Sequence, residues 1–260
     1  MTVAPRRALG QHFLVDENLL GVIGRLAELG PDDVVLEVGP GLGVLTRYLA
    51  DRVALVHAVE IDRALESQLG DALANHGNVL LVYGDALRVD LGSLDPPPRK
   101  LVANLPYNVA TPLIAETLAG SNALELWCVM VQREVADRFF AAPSTKAYGA
   151  VSVLVQLTAR RTGFHPVSRT VFRPPPNVDS RLVAFRRVDA PRNLTDVRRV
   201  VDGAFSHRRK TLANSLHLAG VAGRERSVVA LAAIRRAADV RAEALAPDEF
   251  VALTEALADQ

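Results

Sequence analysis

An apolar run, residues 101–103, leads directly into the tetrapeptide Asn104-Leu105-Pro106-Tyr107, whose groups could do chemistry. Asn104 offers an amide acceptor, Pro106 forces the preceding peptide to be extended, and Tyr107 supplies an aromatic face. Together these groups suit the binding of a planar amine, so the tetrapeptide fits N-methylation of a base. The alternative is a strand end closed by a proline turn, where Asn and Pro are common for conformational reasons.

Short apolar runs alternate with longer amphipathic ones around this tetrapeptide, which predicts a βαβ series. Such a series implies an α/β fold with a mostly parallel sheet, helices on both faces, and a ligand crevice at the carboxyl ends of the strands. Proline-rich segments at 96–98 and 174–176 are predicted loops. The predicted strands are 34–38, 54–59, 79–82, 100–103, 126–131 and 151–158, and the predicted helices are 42–50, 63–74, 112–119 and 133–140.

The character of the chain changes after residue 188. Residues 189–191 have the composition of a linker, and 195–260 show helical spacing with almost no strand signal. The sequence therefore predicts two domains, an α/β domain over 1–188 and a small helical domain over 189–260.

Composition narrows the class of protein further. Hydrophobic residues make up 49% of the 260-residue chain, which predicts a globular protein with a buried core. No apolar run is long enough to cross a bilayer, and the first eleven residues are basic and polar, so we expect a cytoplasmic protein. Cys128 is the only cysteine, which excludes a disulfide framework or a cysteine zinc site and indicates a small buried hydrophobe.

Charge is unevenly distributed along the chain. The net charge is +1, yet residues 160–210 contain thirteen Arg and Lys against four Asp and Glu. Clustered cations of this kind could follow the phosphates of a nucleic acid. A solvated charged face is the alternative interpretation.

A glycine-rich turn, Gly39-Pro40-Gly41-Leu42-Gly43, follows the first predicted strand and lets the backbone approach a ligand closely. Glu60 lies about 20 residues further on, where an acidic side chain meets a ribose diol. Asp85, after the third strand, could accept from an adenine amine. Without such a ligand, these would be a tight turn and two surface acids. The spacing departs from the Gly-x-Gly-x-x-Gly pattern that binds a pyrophosphate, which favours a phosphate-free nucleoside cofactor, S-adenosylmethionine, over a dinucleotide.

With Glu37 at the first strand, these features resemble class I S-adenosylmethionine-dependent methyltransferases. Ordered motifs narrow the resemblance to the ribosomal RNA small-subunit adenine-N6 dimethyltransferase family, KsgA type, across nearly the whole chain. One departure is His12, where the family pattern more often has Asn; imidazole can still bond a cofactor carboxylate or a backbone group. The motifs are LGQHFL at 9–14, NLPY at 104–107, KAYG at 146–149, FRPPPNVDS at 172–180, AFSHRRKTLANSL at 204–216 and RAE at 241–243.

The resemblance implies roles for particular residues. The target adenine would stack between Tyr107 and Phe172, with its exocyclic amine bonded to the Asn104 oxygen and the Pro106 carbonyl. The helical segment would bind rRNA phosphates through Arg208, Arg209 and Lys210. The implied cofactor-binding residues are Gln11, His12, Leu14, Gly39, Gly41, Glu60, Asp85, Ala86 and Asn104.

The activity implied by the resemblance is dimethylation of the N6 amines of two adjacent adenosines in a hairpin near the 3′ end of small-subunit (16S) rRNA. We expect S-adenosylmethionine as cofactor, rRNA and the pre-30S particle as partners, a monomeric protein, and neither a metal nor a membrane. Three alternatives remain open: a large-subunit rRNA methyltransferase of the antibiotic-resistance type, a non-catalytic rRNA-binding assembly factor, and, more distantly, a dehydrogenase.

Overall fold

The computed structural model describes residues 11–106, 109–120 and 123–259. Its strands are β1 (Phe13–Leu14), β2 (Val34–Val38), β3 (Leu55–Glu60), β4 (Val79–Tyr83), β5 (Lys100–Asn104), β6 (Leu126–Gln132), β7 (Ala159–Val167), β8 (Phe172–Arg173) and β9 (Ser180–Arg187). Its helices are α1 (Glu17–Leu26), α2 (Val44–Ala50), α3 (Glu66–Leu73), α4 (Ala110–Gly120), α5 (Arg133–Phe139), α6 (Ala150–Thr158), α7 (Leu194–Phe205), α8 (Leu212–Leu218), α9 (Arg224–Ala233) and α10 (Pro247–Ala258).

A seven-stranded sheet, in the order β4-β3-β2-β5-β6-β9-β7, forms the core of the fold. The strands from β4 to β6 run parallel, and β9 pairs antiparallel with β6. A second, two-stranded sheet joins β1 to β8. The predicted α/β class with a mostly parallel, helix-flanked sheet is confirmed.

Burial on both faces explains why the central strands are apolar almost without interruption. Val35 and Leu36 of β2 are both fully buried, on opposite faces of the sheet. On one face, Ile23 of α1 belongs to the main apolar cluster. On the other, the Trp127 indole donates to the Thr117 hydroxyl of α4 at 3.0 Å. The five parallel strands lie where the sequence predicts them, to within one residue at each end.

The last predicted strand, 151–158, is wrong, because this segment forms helix α6. A run of eight mostly apolar residues fits a buried strand or a buried helix equally well, and its β-branched valines favoured the strand. Packing decides the outcome, since Val153 and Leu154 are buried in a cluster of helices. The Ser152 hydroxyl also accepts a hydrogen bond from the Gly149 N–H at 3.1 Å, which stabilises the first turn.

Strands β7 and β9 were not predicted from the sequence. In β7, Arg160 and Arg161 are exposed next to Phe164, so no regular alternation marks this edge strand. In β9, four buried residues, 182–185, are flanked by arginines and are too few to distinguish from a loop. Both strands belong to the part of the sheet beyond β6, where the parallel βαβ pattern ends.

The chain divides into two compact units, Met1–Ala136 with Arg160–Arg187, and Asp137–Ala159 with Val188–Gln260. In the second unit, α6 and α7 to α10 surround an apolar cluster that includes Val197, Leu216 and Phe250. The separate helical domain over 189–260 stays a prediction, and in the structure that segment shares its unit with 137–159. None of the described helices is long and apolar enough to span a membrane.

Ser152→Ala tests the hydrogen bonds that stabilise the first turn of helix α6. The buried Ser152 hydroxyl accepts from Gly149 N–H and donates to the Arg138 carbonyl, so its loss leaves two backbone groups without their partner. We expect the free energy of unfolding, measured with urea, to fall by about 1–3 kcal/mol. Thr145→Ala is the matched control, because its exposed hydroxyl bonds the Ala142 carbonyl and water replaces it. Equal destabilisation by the two variants would contradict this account of α6.

Candidate active site

A pocket opens at the edge of the sheet where the parallel strands end. Its empty volume, including the open mouth, is about 1040 Å³. All nine residues that the sequence assigns to a cofactor lie in its wall, and so does Pro106. The lining residues are 11–14, 37–42, 44–45, 59–61, 84–86, 104–106 and 109.

The turn after β2 forms one wall and depends on glycine. Gly39 and Gly41 have φ of 77° and 60°, a region that residues with a side chain rarely occupy. A Cβ atom at Gly41 would also lie 3.0 Å from the Phe13 ring, which covers the turn from β1. Glycine thus allows both the conformation of this turn and the close packing of Phe13 against it.

Glu60 holds the glycine turn in place. One of its carboxylate oxygens accepts from Gly41 N–H at 3.1 Å and the other from Asp62 N–H at 2.9 Å. Asp62 in turn accepts from the Gln11 side chain at 2.9 Å, which links the turn to the segment before β1. Because a carboxylate has about four acceptor positions, Glu60 can hold the turn and still accept from a ribose diol.

The orientation of the Asn104 carboxamide is set by its neighbour across the pocket. Its Nδ2 donates to the His12 carbonyl at 3.1 Å. With the nitrogen fixed there, the amide oxygen is the end available to accept from a ligand. Asn104 is therefore arranged as an acceptor, as the binding of an amine requires.

His12, the departure from the family pattern, also contacts the proline-rich loop after β8. Its Nδ1 lies 2.8 Å from the Pro174 carbonyl oxygen, and since a carbonyl can only accept, Nδ1 carries the proton. His12 thus bonds a backbone group, one of the two partners that the sequence interpretation allowed.

The three other residues assigned to the target base are Phe172, Pro106 and Tyr107, and the structure does not show them arranged around a base. Phe172 is only 2% exposed, does not line the pocket, and packs with Leu14 in the main apolar cluster. The Pro106 carbonyl accepts from Val109 and Ala110 N–H at 3.1 and 3.2 Å, at the start of α4. Tyr107 lies outside the described residues. The stacking and amine-binding roles of these three residues stay predictions.

Glu37 is a buried acid in the pocket wall. The sequence places it at the first strand but assigns it no role. It is 1% exposed, and its Oε2 atom has no hydrogen-bond partner among the described residues. Burial raises the pKa of Glu37 from 4.5 to about 8, against a smaller lowering by the neighbouring Thr46 side chain and with a small further rise from the charge of Glu60. Below about pH 8 the carboxyl is therefore mostly neutral, and a buried polar atom without a partner in a pocket wall is suited to a ligand that forms a hydrogen bond with it.

The charge of the pocket discriminates between classes of ligand. Its described lining contains the carboxyl groups of Glu60 and Asp85 and no Arg or Lys, while the buried Glu37 is mostly neutral below about pH 8. A dinucleotide would bring phosphates that this wall would repel, whereas a cationic ligand would be attracted. The geometry therefore argues against the dehydrogenase alternative.

The described residues also contain no group of three or more metal-ligand side chains.

Several residues of the pocket wall were not predicted from the sequence. Phe13 and Val109 line the pocket, and Asp62 supports it from behind. Asp62 follows Glu60 directly after β3, so position alone could have suggested it. Phe13 gave no signal of its own, because its approach to Gly41 depends on the path of the segment before α1.

The basic residues assigned to rRNA lie in the turn between α7 and α8. The Arg208 guanidinium donates to the carbonyls of Lys146 and Tyr148 at 3.4 and 3.1 Å, so it also holds that loop. Arg209 and Lys210 are exposed. Arg208 is exposed as well, so all three cations of the cluster are accessible.

The fold and the pocket define a methyltransferase. Two solved structures are similar: a dimethyladenosine transferase from Plasmodium falciparum, at a TM-score of 0.76 and 23% identity over 93% of this chain and 96% of that one, and the 23S rRNA methyltransferase ErmE, at a TM-score of 0.65 and 30% identity over 95% and 100%. The first supports the fold alone. The model of the family "Ribosomal RNA adenine dimethylase" matches residues 4–259. The chain belongs to this family.

Curated relatives agree with the family. Proteins named ribosomal RNA small subunit methyltransferase A are 49% identical in Rubrobacter xylanophilus, over 97% of this chain and 95% of the relative, and 42% identical in Lactiplantibacillus plantarum, over 97% and 90%. The relative of that name in Thermobifida fusca is 47% identical over 82% and 77%. The family predicted from the ordered motifs is confirmed.

Glu37→Gln tests the buried acid through the pH dependence of stability. Below pH 4.5 the carboxyl is protonated in both states, but between pH 4.5 and about 8 only the unfolded chain ionises. The wild type should therefore lose up to about 1.4 kcal/mol of stability per pH unit from this group across that window. We expect urea unfolding to show the variant gaining on the wild type from pH 5 to pH 8. A difference between the proteins that is the same at both pH values would contradict the raised pKa.

Proposed function

We propose that this chain dimethylates the N6 amines of two adjacent adenosines in small-subunit rRNA, in a hairpin near the 3′ end, with S-adenosylmethionine as methyl donor. The observation that carries the proposal is the Asn104 carboxamide, whose nitrogen is held by the His12 carbonyl so that its oxygen accepts in the pocket. Membership of the adenine dimethylase family supplies the class of reaction.

The pocket fits S-adenosylmethionine better than a phosphate-bearing cofactor. That molecule is cationic, carries a ribose and an adenine, and has no phosphate, which agrees with a described lining that contains Glu60 and Asp85 and neither Arg nor Lys. Glu60 would accept from the ribose diol and Asp85 from the adenine amine. The unpartnered Oε2 of Glu37 is suited to a hydrogen bond with the ammonium group of the methionine part. Gln11, His12, Leu14, Gly39, Gly41 and Ala86 would complete the contacts.

When bound, the cofactor supplies an electrophilic methyl group. The part of the chain is to align the target amine with that group, because an adenine amine is a poor nucleophile while its lone pair is delocalised into the ring. An acceptor at Asn104 holds one amine hydrogen and favours the geometry that frees the pair. Alignment of this kind can contribute several orders of magnitude in rate.

A strong general base is not needed in this scheme. Once methylated, the amine nitrogen is cationic and acidic enough to lose its proton to solvent or to a nearby acceptor. The second transfer requires space beside the amine for the first methyl group, and exchange of the used cofactor. The open mouth of the pocket is consistent with that exchange.

The target base would be held by stacking. Tyr107 and Phe172 are proposed as the two aromatic faces, since extruded bases are often clamped between rings. Phe172 is packed beside Leu14 in the structure, so stacking requires its ring to leave the apolar cluster. The Pro106 carbonyl would be a second amine acceptor after one of its two bonds from α4 is released.

The choice of small-subunit rRNA follows the curated relatives. Full-length relatives between 39% and 49% identical carry the small-subunit name, whereas the 23S rRNA methyltransferase is 30% identical. A non-catalytic assembly factor would not need the Asn104 acceptor, which is intact. We further propose that the enzyme is a cytoplasmic monomer that acts on the pre-30S particle, without a metal, and binds rRNA phosphates through Arg208, Arg209 and Lys210.

Asn104→Ala tests the acceptor. We expect kcat to fall by about 100-fold or more, because the amine loses the group that orients it, while the affinity for S-adenosylhomocysteine changes little. Tritium transfer from labelled cofactor to 16S rRNA measures the first quantity and calorimetry the second. Turnover equal to that of the wild type would refute the role of Asn104.

Arg209→Ala and Lys210→Ala test the exposed cations. Each should weaken rRNA binding about equally across sequences and reduce the slope of log K against log salt by about 1, without changing which base is methylated. Arg224→Ala, which removes an exposed cation at the start of α9, is the matched control. Filter binding over a salt series gives the slopes. If Arg224→Ala weakens binding as much as the other two, the assignment of the 208–210 cluster fails.

A further inference from the structure

Residue 12 is bonded to two separate segments of the proposed active site, through its backbone carbonyl and through its side chain. Its carbonyl oxygen accepts from the Asn104 carboxamide at 3.1 Å, and its side-chain Nδ1 donates to the Pro174 carbonyl at 2.8 Å. The first partner is the last residue of the parallel strand β5, and the second belongs to the loop that follows β8.

The bond to Pro174 supports a very short pair of strands. β1 and β8 pair over only two residues, Phe13 with Arg173 and Leu14 with Phe172. The Val15 N–H adds one bond to the Val171 carbonyl at 2.9 Å, at one end of the pair. Two-residue strands are not stable alone, so a further bond at the opposite end limits how far β8 can separate from β1.

The bond to Asn104 depends on the same placement. If the backbone at residue 12 moves, the Asn104 amide can rotate and present its NH₂ group to the substrate amine, which is itself a donor. The His12–Pro174 bond therefore bears on the acceptor and on the Phe172 segment together.

An Asn at residue 12 could place an N–H donor where the His12 Nδ1 lies, whereas a Gln could not. In His the Nδ1 atom is bonded to Cγ, and in Asn the Nδ2 atom is bonded to Cγ as well, so both place an N–H at the same distance from the backbone. Gln places its nitrogen one carbon further out. This common geometry explains how His can stand where the family pattern more often has Asn.

We propose that His12 is a positioning residue, which acts through its δ-nitrogen donor to hold the 172–174 segment against β1 and to keep Asn104 in its acceptor orientation. The inference rests on the proposed function for its effect on catalysis. Its structural half, the bond between β1 and the 172–174 segment, is independent of that function.

The test compares His12→Ala, His12→Gln and His12→Asn. At saturating cofactor, Ala and Gln should lower kcat on rRNA by about 10- to 100-fold, and Asn should stay within about threefold of the wild type. The affinity for S-adenosylhomocysteine, measured by calorimetry, should change less than kcat in all three. A loss confined to cofactor affinity, with kcat intact, would make His12 a simple cofactor contact and overturn the proposal. Equal damage by Asn and Ala would overturn the role of the δ-nitrogen.

Hydrogen exchange of the protein without RNA or cofactor supplies a readout that does not depend on activity. Amides in 13–15 and 171–173 should lose protection in His12→Ala and His12→Gln but retain it in His12→Asn, while α9 is unchanged in all three. Unchanged exchange in His12→Ala would overturn the proposal even if the enzyme is active. If the wild type fails to methylate rRNA while the exchange pattern appears, the proposed function fails and the positioning role stands.

Discussion

The parallel pairing of β2 with β3 on one side and β5 on the other is the constraint on which the site depends. Parallel strands bring their carboxyl ends to one edge, so side chains distant in sequence are placed together without a local motif. Glu37, Glu60 and Asn104 meet in one pocket for this reason. Hydrogen bonds of Glu60 and Asn104 to backbone groups refine an arrangement that the strands have already made.

Hydrogen bonds between side chains and the backbone then fix the local geometry of the pocket. Glu60 bonds the glycine turn 19 residues earlier in the chain, and the His12 carbonyl fixes the Asn104 amide. Both are interactions of side chains with the main chain, which hold a turn or an amide in one orientation. Glu37 differs because its Oε2 has no partner in the described structure, and its pKa is raised by burial. The pocket thus combines satisfied groups that give it shape with one unsatisfied group available to a ligand.

The strands around the pocket could be predicted because each is an apolar run that ends in a turn residue. The same rule failed at 151–158, where a buried helix and a buried strand share one pattern, and at β7 and β9, whose arginines obscure the alternation. All nine predicted cofactor residues line the pocket, because strand ends and ordered motifs mark most of them. The packing of Phe172 and the bonds to the Pro106 carbonyl could not be predicted, since both depend on contacts between neighbouring segments.

The bond between His12 and Pro174 joins residues 162 positions apart, whereas the parallel strands β2 to β6 all lie between residues 34 and 132. During synthesis, the N-terminal end of the chain emerges first. The central sheet can begin to pair while β1 still has no partner, because β8 has yet to be translated. The wall that β1 contributes to the pocket is therefore among the last parts of this unit to be secured, and a nascent chain that ends before residue 174 would hold its ligand poorly even with the other strands in place.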